Sequence, residues 1–312
     1  MVIFSQFLQI IPIRFSLSEG SYLKMHNLAD YCTLMDITCG SKKISLEKPV
    51  VMGILNVTPD SFYDGGFYPE PEGQLKRIEE MTGEGASIID IGALSTRPGS
   101  RPAPESTELE RLGRILPEAV SRFPETVFSV DTYRSQVAVF AAESGAGIVN
   151  DISAGGFDDN MFKTISNLQV AYIMMHILGT PETMQKDPQY PDVVGEIREY
   201  FRERLQKLGE YGKTENIILD PGFGFGKTPD HNFALLARLG EFEELGCPVM
   251  AGLSRKSMIN KVLGTVPEKA LNGTTVLNTI ALLNGARILR VHDVKEAVEA
   301  IRLVEKYLEN RD

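Results

Sequence analysis

The chain has 312 residues, 43% hydrophobic and 24% charged, which is enough to bury a sizeable core and excludes a disordered chain, a collagen-like repeat or a small disulfide scaffold. With 42 acidic against 32 basic residues the net charge is −10, so the surface at large does not attract nucleic acid or anionic lipid, and any phosphate chemistry needs a local basic pocket. The three cysteines, Cys32, Cys39 and Cys247, are spaced like neither a zinc site nor a disulfide framework and point to a reducing, cytoplasmic setting.

In chain order, the first apolar piece, Phe4 to Phe15, is broken by Gln9, Pro12 and Arg14 and lacks the basic start and small-residue cleavage site of a signal peptide. No run reaches the roughly 18 apolar residues of a membrane span, and no membrane partner is expected. Residues 1–24 share no pattern with the rest of the chain. They read as an N-terminal extension outside the core of a domain covering 25–312, whose barrel begins near Pro49.

From there short β-rich runs alternate with longer helical patterns, the mark of βα units and a parallel sheet. The runs are Val50–Asn56, Ser87–Ile91, Val127–Asp131, Gly147–Asp151, Val170–His176, Ile217–Asp220, Pro248–Gly252 and Ala286–Val291. Between them, Asp192–Tyr211 carries a stripe of Val193, Val194, Ile197, Tyr200, Phe201, Leu205 and Leu208; Asp293–Leu308 carries Ala297, Val298, Ile301, Val304 and Leu308. Eight such units in ~250 residues predict an α/β fold, a single closed (β/α)8 TIM barrel with its active site at the C-terminal ends of the strands.

Those ends are polar almost without exception: Asn56, Asp90, Asp131, Asn150 with Asp151, His176, Asp220, Ser254-Arg255-Lys256, then Arg290 with His292. Capping would explain the Asn and Asp residues one at a time, but it does not explain His176, Lys256, Arg290 and His292. The loop Asn56–Phe62 runs on into Asp64-Gly65-Gly66, suited to closing over a site, and Ser95–Pro102 holds two arginines between prolines, suited to clamping an anion. Asp220–Thr228 ends in Gly-Lys-Thr after a strand, yet a phosphate loop needs glycine where Pro221 stands. It is instead a glycine-rich loop that lets backbone approach a ligand, with Phe225 as a wall. Ser254–Ser257 brings a lysine and hydroxyls to a helix start. His231 reads as a surface or capping residue.

Taken together, GILNVTPDSF, IIDIGALSTRPG, SVDT, IVNDI, MMH, LDPGFGFGKT, GLSRKS and RVHDVKE resemble, in order and spacing, the dihydropteroate synthase family, the folate-pathway enzymes inhibited by sulfonamides. The likeness spans about residues 49 to 307. Departures are small: Leu94 stands where the family frequently has Glu, and Ile177 where Met is frequent. The resemblance implies condensation of 6-hydroxymethyl-7,8-dihydropterin pyrophosphate with 4-aminobenzoate, giving 7,8-dihydropteroate and pyrophosphate, with Mg2+ as cofactor and a homodimer as the assembly.

On that footing Asp220 and Asn150 suit the amino-pyrimidinone edge of the pterin, Asp131 reaches its other end, and Lys256 donates to its acceptors. Met175 and Phe225 are implied as apolar walls, with Arg290 stacked on the ring. Arg97, Arg290 and His292 would serve as cations for the leaving pyrophosphate, with Asn56 offering an oxygen to Mg2+. Asp131 would stabilise a cation at the exocyclic methylene. The carboxylate of 4-aminobenzoate would meet Ser257, with Thr96 and Pro98 closing its pocket. Two other readings stay open: a pterin-dependent methyltransferase, which has no need of the pyrophosphate cations, and a non-catalytic pterin-binding barrel.

Overall fold

The computed structural model describes residues 36–58, 70–95, 99–100 and 103–311. Ten strands are found among them: β1 (Asp36–Cys39), β2 (Lys42–Ser45), β3 (Val50–Asn56), β4 (Ile88–Gly92), β5 (Val127–Asp131), β6 (Ile148–Asp151), β7 (Ala171–Met175), β8 (Ile217–Asp220), β9 (Val249–Ala251) and β10 (Ala286–Val291). The last eight close into one parallel barrel in sequence order, β10 pairing back onto β3 with Ile288 opposite Val50. This is the expected (β/α)8 barrel. Each expected run falls on its strand within one or two residues at either end.

The helices between the strands bury one face each. In the helix Val193–Glu210 the buried residues are Val193, Val194, Ile197, Phe201 and Leu208, members of the stripe read from the sequence, and Asp192 caps its start by accepting from the Val194 N–H at 3.2 Å. Thr228 opens the helix Pro229–Ala237 with a capping box, its hydroxyl accepting from the His231 N–H while the His231 ring bonds back to Thr228. His231 is thus a capping residue, as expected.

The hairpin β1–β2 is not foreseen from the sequence. Asp36 pairs with Ser45 and Cys39 with Lys42, leaving a two-residue turn that begins at Gly40 with φ 64°. Ile37, Cys39 and Leu46 are buried against Met52, Ile88, Val127, Ile148, Ala171, Ile173, Ile218, Met250 and Ile288, inward-facing residues toward the start of the barrel strands. The hairpin therefore plugs the N-terminal end of the barrel. Its seat is tight, since a Cβ on Gly147 would come 2.7 Å from the Cys39 carbonyl oxygen. The expected extension, residues 1–24, lies outside the described residues.

Candidate active site

Side chains alternate along a strand, so the inward set is fixed once one member is known. Ile88, Ile148, Ile218 and Ile288 face inward at the base, and two residues on stand Asp90, Asn150, Asp220 and Arg290. The same parity takes Val127 to Asp131, Ile173 to Met175 and Met52 to Asn56. Except for Asp90, these inward residues line a cavity of about 660 Å³ at the C-terminal mouth, joined there by Phe225, Ser254, Lys256, Ser257 and His292.

At the floor of the cavity, Arg290 donates through Nε to Asp90 at 2.7 Å and through Nη2 to Asp131 at 3.1 Å. Asn150 donates from Nδ2 to the same Asp90 oxygen at 3.0 Å. Asp90 is fully buried, and its other oxygen has no hydrogen-bond partner among the described residues. The sequence marks Asp90 only as a strand end, and its neighbours in the chain do not reveal its role: it aims both Arg290 and Asn150. Its inward parity with Ile88 is the available signal. With Nδ2 committed to Asp90, the Asn150 carbonyl oxygen is left to face a ligand. Burial, reinforced by Asp90, Glu108 and Asp151, pushes the Asp131 carboxyl up to about 7 against the pull of Arg290.

Beside this pair lies the second carboxylate. Asp220 accepts from the Gly222 N–H at 2.8 Å, and burial raises its carboxyl while that bond, Lys256 and Arg290 pull it down. Lys256 Nζ stands 4.4 Å above the centre of the Phe225 ring, and burial lowers the ammonium to about 8. Phe225 belongs to a small apolar cluster with Ile152, Met175, Ile177, Met184, Tyr133 and Phe157. One wall of the cavity is therefore apolar and flat, while the floor is charged. Met184 and Gln185 also line the cavity, from the long segment after β7, where no sequence motif marks them.

On the far side, Ser254 Oγ lies 2.9 Å from His292 Nδ1 and accepts the His292 backbone N–H at 3.2 Å. The Ser254 hydroxyl thus holds both the backbone and the ring of His292, fixing the orientation of the imidazole. Burial, with Arg290 and Arg255 nearby, pushes this imidazole down to about 3. His292 thus stands beside Arg290 at the end of β10, where burial and the neighbouring arginines oppose its charge in the absence of an anion. Arg255 adopts φ 55°, in the left-handed region, and its guanidinium grips Asp293 at 3.1 and 2.6 Å, which ties the loop after β9 to the end of β10.

Ser257 opens a seven-residue helix at the rim. Asn56 ends β3 close to Gly92, where a Cβ would lie 3.2 Å from its Oδ1. Thr96, Arg97 and Pro98 lie outside the described residues, as does most of the loop after Thr58. Among the described residues no group of three or more His, Cys, Asp or Glu side chains could hold a metal. A single amide oxygen at Asn56 suits a hard cation that keeps water and phosphate oxygens as its remaining ligands. A second groove, about 740 Å³, lies outside the barrel near Pro49 and Arg287; its charges pair among themselves, Lys48 with Glu305 and Arg238 with Glu241. It has no set of groups converging on a ligand.

Residues 52–292 match the model of the pterin binding enzyme family. The chain is 42% identical over 281 residues to a dihydropteroate synthase of Escherichia coli (strain K12), covering 89% of this chain and 98% of that one. It is 41% identical over 272 residues to a dihydropteroate synthase of Haemophilus influenzae, covering 86% and 98%. Among solved structures, the dihydropteroate synthase of Yersinia pestis with a sulfonamide drug complex superposes with a TM-score of 0.85 at 38% identity, over 88% of this chain and all of that one. The Xanthomonas albilineans enzyme in complex with 7,8-dihydropteroate gives 0.77 at 31% identity, over 89% and 100%.

Proposed function

This chain belongs to the pterin-binding enzyme family, and on that premise we propose how the mouth of its barrel divides the labour of dihydropteroate synthesis. The chain condenses 6-hydroxymethyl-7,8-dihydropterin pyrophosphate with 4-aminobenzoate, forming 7,8-dihydropteroate and pyrophosphate for folate biosynthesis. The observation that carries the division of labour is the ring of inward-facing Asp131, Asn150, Asp220, Lys256 and Arg290, with buried Asp90 beneath it, around one cavity that has an apolar wall.

The pterin edge presents neighbouring donors, and Asp220 with the carbonyl oxygen of Asn150 accepts them. Lys256 donates to the ring acceptors, and Met175 and Phe225 cover the faces together with Arg290. The leaving pyrophosphate is highly anionic, so groups that stabilise charge developing on the departing oxygen lower the barrier. Arg290 and His292 meet this charge from the end of β10, and Arg97 supplies a further cation from the second loop. Mg2+, when bound through the Asn56 oxygen, would neutralise phosphate charge. Asp131, on the other side of Arg290, faces the positive charge left on the methylene carbon as the C–O bond breaks. The aryl amine then attacks that carbon, forming the C–N bond and giving up one N–H proton to the departed pyrophosphate, its carboxylate held at Ser257 with Thr96 and Pro98 closing over it.

The assembly is a homodimer in this reading. Val276, Ile280 and Leu283 recur at helical spacing on the helix Leu271–Leu283, are 50%, 37% and 45% exposed, and with Leu303 and Tyr307 form an apolar face that a second copy would cover. The setting is cytoplasmic, in keeping with the free thiols of Cys39 and Cys247. Among the described residues no helix is long and apolar enough to cross a membrane. Mixing the two substrates with the protein should release pyrophosphate and yield dihydropteroate; absence of release would overturn the assignment. Sedimentation of a monomer at micromolar concentration would overturn the dimer.

A further inference from the structure

The loop after β8 is held more tightly than a flexible phosphate-binding turn would be. Gly222, Gly224 and Gly226 take φ 73°, 83° and 65°, a left-handed residue at every second position. A Cβ on Gly222 would fall 2.0 Å from the His176 carbonyl oxygen, so the loop lies directly on the exit of β7. Four carbonyls between Gly222 and Gly226 accept from side chains: Gln185 reaches Gly224 at 2.6 Å, Tyr190 reaches Gly226 at 2.9 Å, and Lys227 reaches Gly222 and Phe225.

Lys227 is 3% exposed, and its Nζ stands 2.9 Å from the Gly222 oxygen, 3.0 Å from the Phe225 oxygen and 3.0 Å from His176 Nδ1. Burial lowers the Lys227 ammonium to about 7 while the nearby Asp220 carboxylate supports its charge; in the charged form it has three N–H bonds, and all three are engaged. None goes to a carboxylate. Burying a cation without a carboxylate is costly, and methionine would fill the same volume without that penalty, so what distinguishes lysine here is its donors. His176 must be neutral to accept, and burial with the Lys227 charge beside it holds the imidazole well below its ordinary range.

We propose that Lys227 is a positioning residue for the pterin: by pinning both arms of the loop to His176, it fixes the Phe225 ring and the Asp220 carboxyl between which the pterin is read. The inference rests on the pterin site assigned above. The Gly-Lys-Thr string, unfit for a triphosphate, thereby acquires a use for each member, with Gly226 turning the chain, Lys227 stapling the loop and Thr228 capping the next helix.

The test is Lys227→Met in the full chain, read by calorimetric affinity for a non-reactive pterin analogue and by the KM for 4-aminobenzoate. Analogue affinity should fall roughly tenfold while the aminobenzoate KM stays within about twofold, because Ser257 sits on a different loop. The 15N signal of His176 Nδ1 should shift as it loses its donor. Should Lys227→Met fail to unfold cooperatively, His176→Phe, which removes one acceptor and keeps an aromatic ring against Tyr200, should show the same split at smaller size. Unchanged analogue affinity, or equal damage to both substrates, overturns the inference. A wild-type protein that binds no pterin analogue overturns the site assignment and this inference with it; wild-type binding left intact by the substitution overturns the inference alone.

Discussion

At the N-terminal end of the barrel, Ile88, Ile148, Ile218 and Ile288 meet the hairpin residues Ile37, Cys39 and Leu46 in one apolar cluster. Two residues further along the same four strands stand Asn150, Asp220 and Arg290 around an open cavity, with Asp90 buried beneath it. Strand geometry is the same at both ends, so the difference lies in what the inward positions are asked to do. The base gains stability by removing apolar surface from water; the mouth gives some of it up, keeping carboxylates and cations buried among a few polar partners. The base should therefore govern folding and the mouth should govern chemistry, and substitutions at each end test that separation.

The largest effect is expected at Asp131. Asp131→Asn keeps the shape but removes the charge facing the methylene carbon, and single-turnover pyrophosphate release should slow by roughly 10²–10³-fold. Binding of a pterin analogue should change far less. An equal fall in analogue affinity would make Asp131 a ground-state binding residue. The pH profile sharpens the point: with Asp131 near 7 and Lys256 near 8, kcat/KM should fall as pH drops through about 7, where the carboxylate gains a proton, and fall again above about 8, where the ammonium loses one. Asp131→Asn should abolish the acid limb and leave the alkaline one.

Lys256→Ala comes next. Its ammonium faces the ring site while its helix opens at Ser257, so pterin affinity and turnover should fall together by roughly tenfold or more, the worth of a charged hydrogen bond. Unchanged pterin affinity by calorimetry would place Lys256 outside the site.

At the other end, Ile37→Val removes one methylene from the plug and should cost about 0.5–1.5 kcal/mol of stability, seen as a lower urea midpoint. The pterin analogue should bind the folded protein as before; weakened binding would show that the two ends are coupled. Smallest of all is the expected effect of removing residues 1–24. A chain starting at Met25 should unfold cooperatively and turn over as the full chain does, and loss of cooperativity would place that segment in the core.

How much of this is legible in sequence differs between elements. Alternation of β-rich runs with helical stripes establishes the eight barrel strands and their order, because a βα unit carries its periodicity locally. Parity along each strand places Asp131, Asn150, Met175, Asp220, Arg290 and Asn56 at the mouth for the same reason. The hairpin escapes notice although Ile37 and Cys39 alternate before Gly40 and Ile44 and Leu46 after it, since two four-residue strands weigh little until a barrel base is there to receive them. Asp90 stands in plain view as a strand end, yet its partners Arg290 and Asn150 are 200 and 60 residues away.

By itself, then, the sequence determined the strands, their order and the chemical types gathered at their C-terminal ends, all consequences of local periodicity in strands and helices. Only the tertiary structure decided the states of those groups. Burial and two neighbouring arginines push the His292 imidazole down, burial joined by three carboxylates in its surroundings pushes Asp131 up to about 7, and Lys227 turns inward because its three partners converge there. Protonation and donor assignment depend on distances between residues remote in sequence and on the water excluded around them, and closing the barrel sets both.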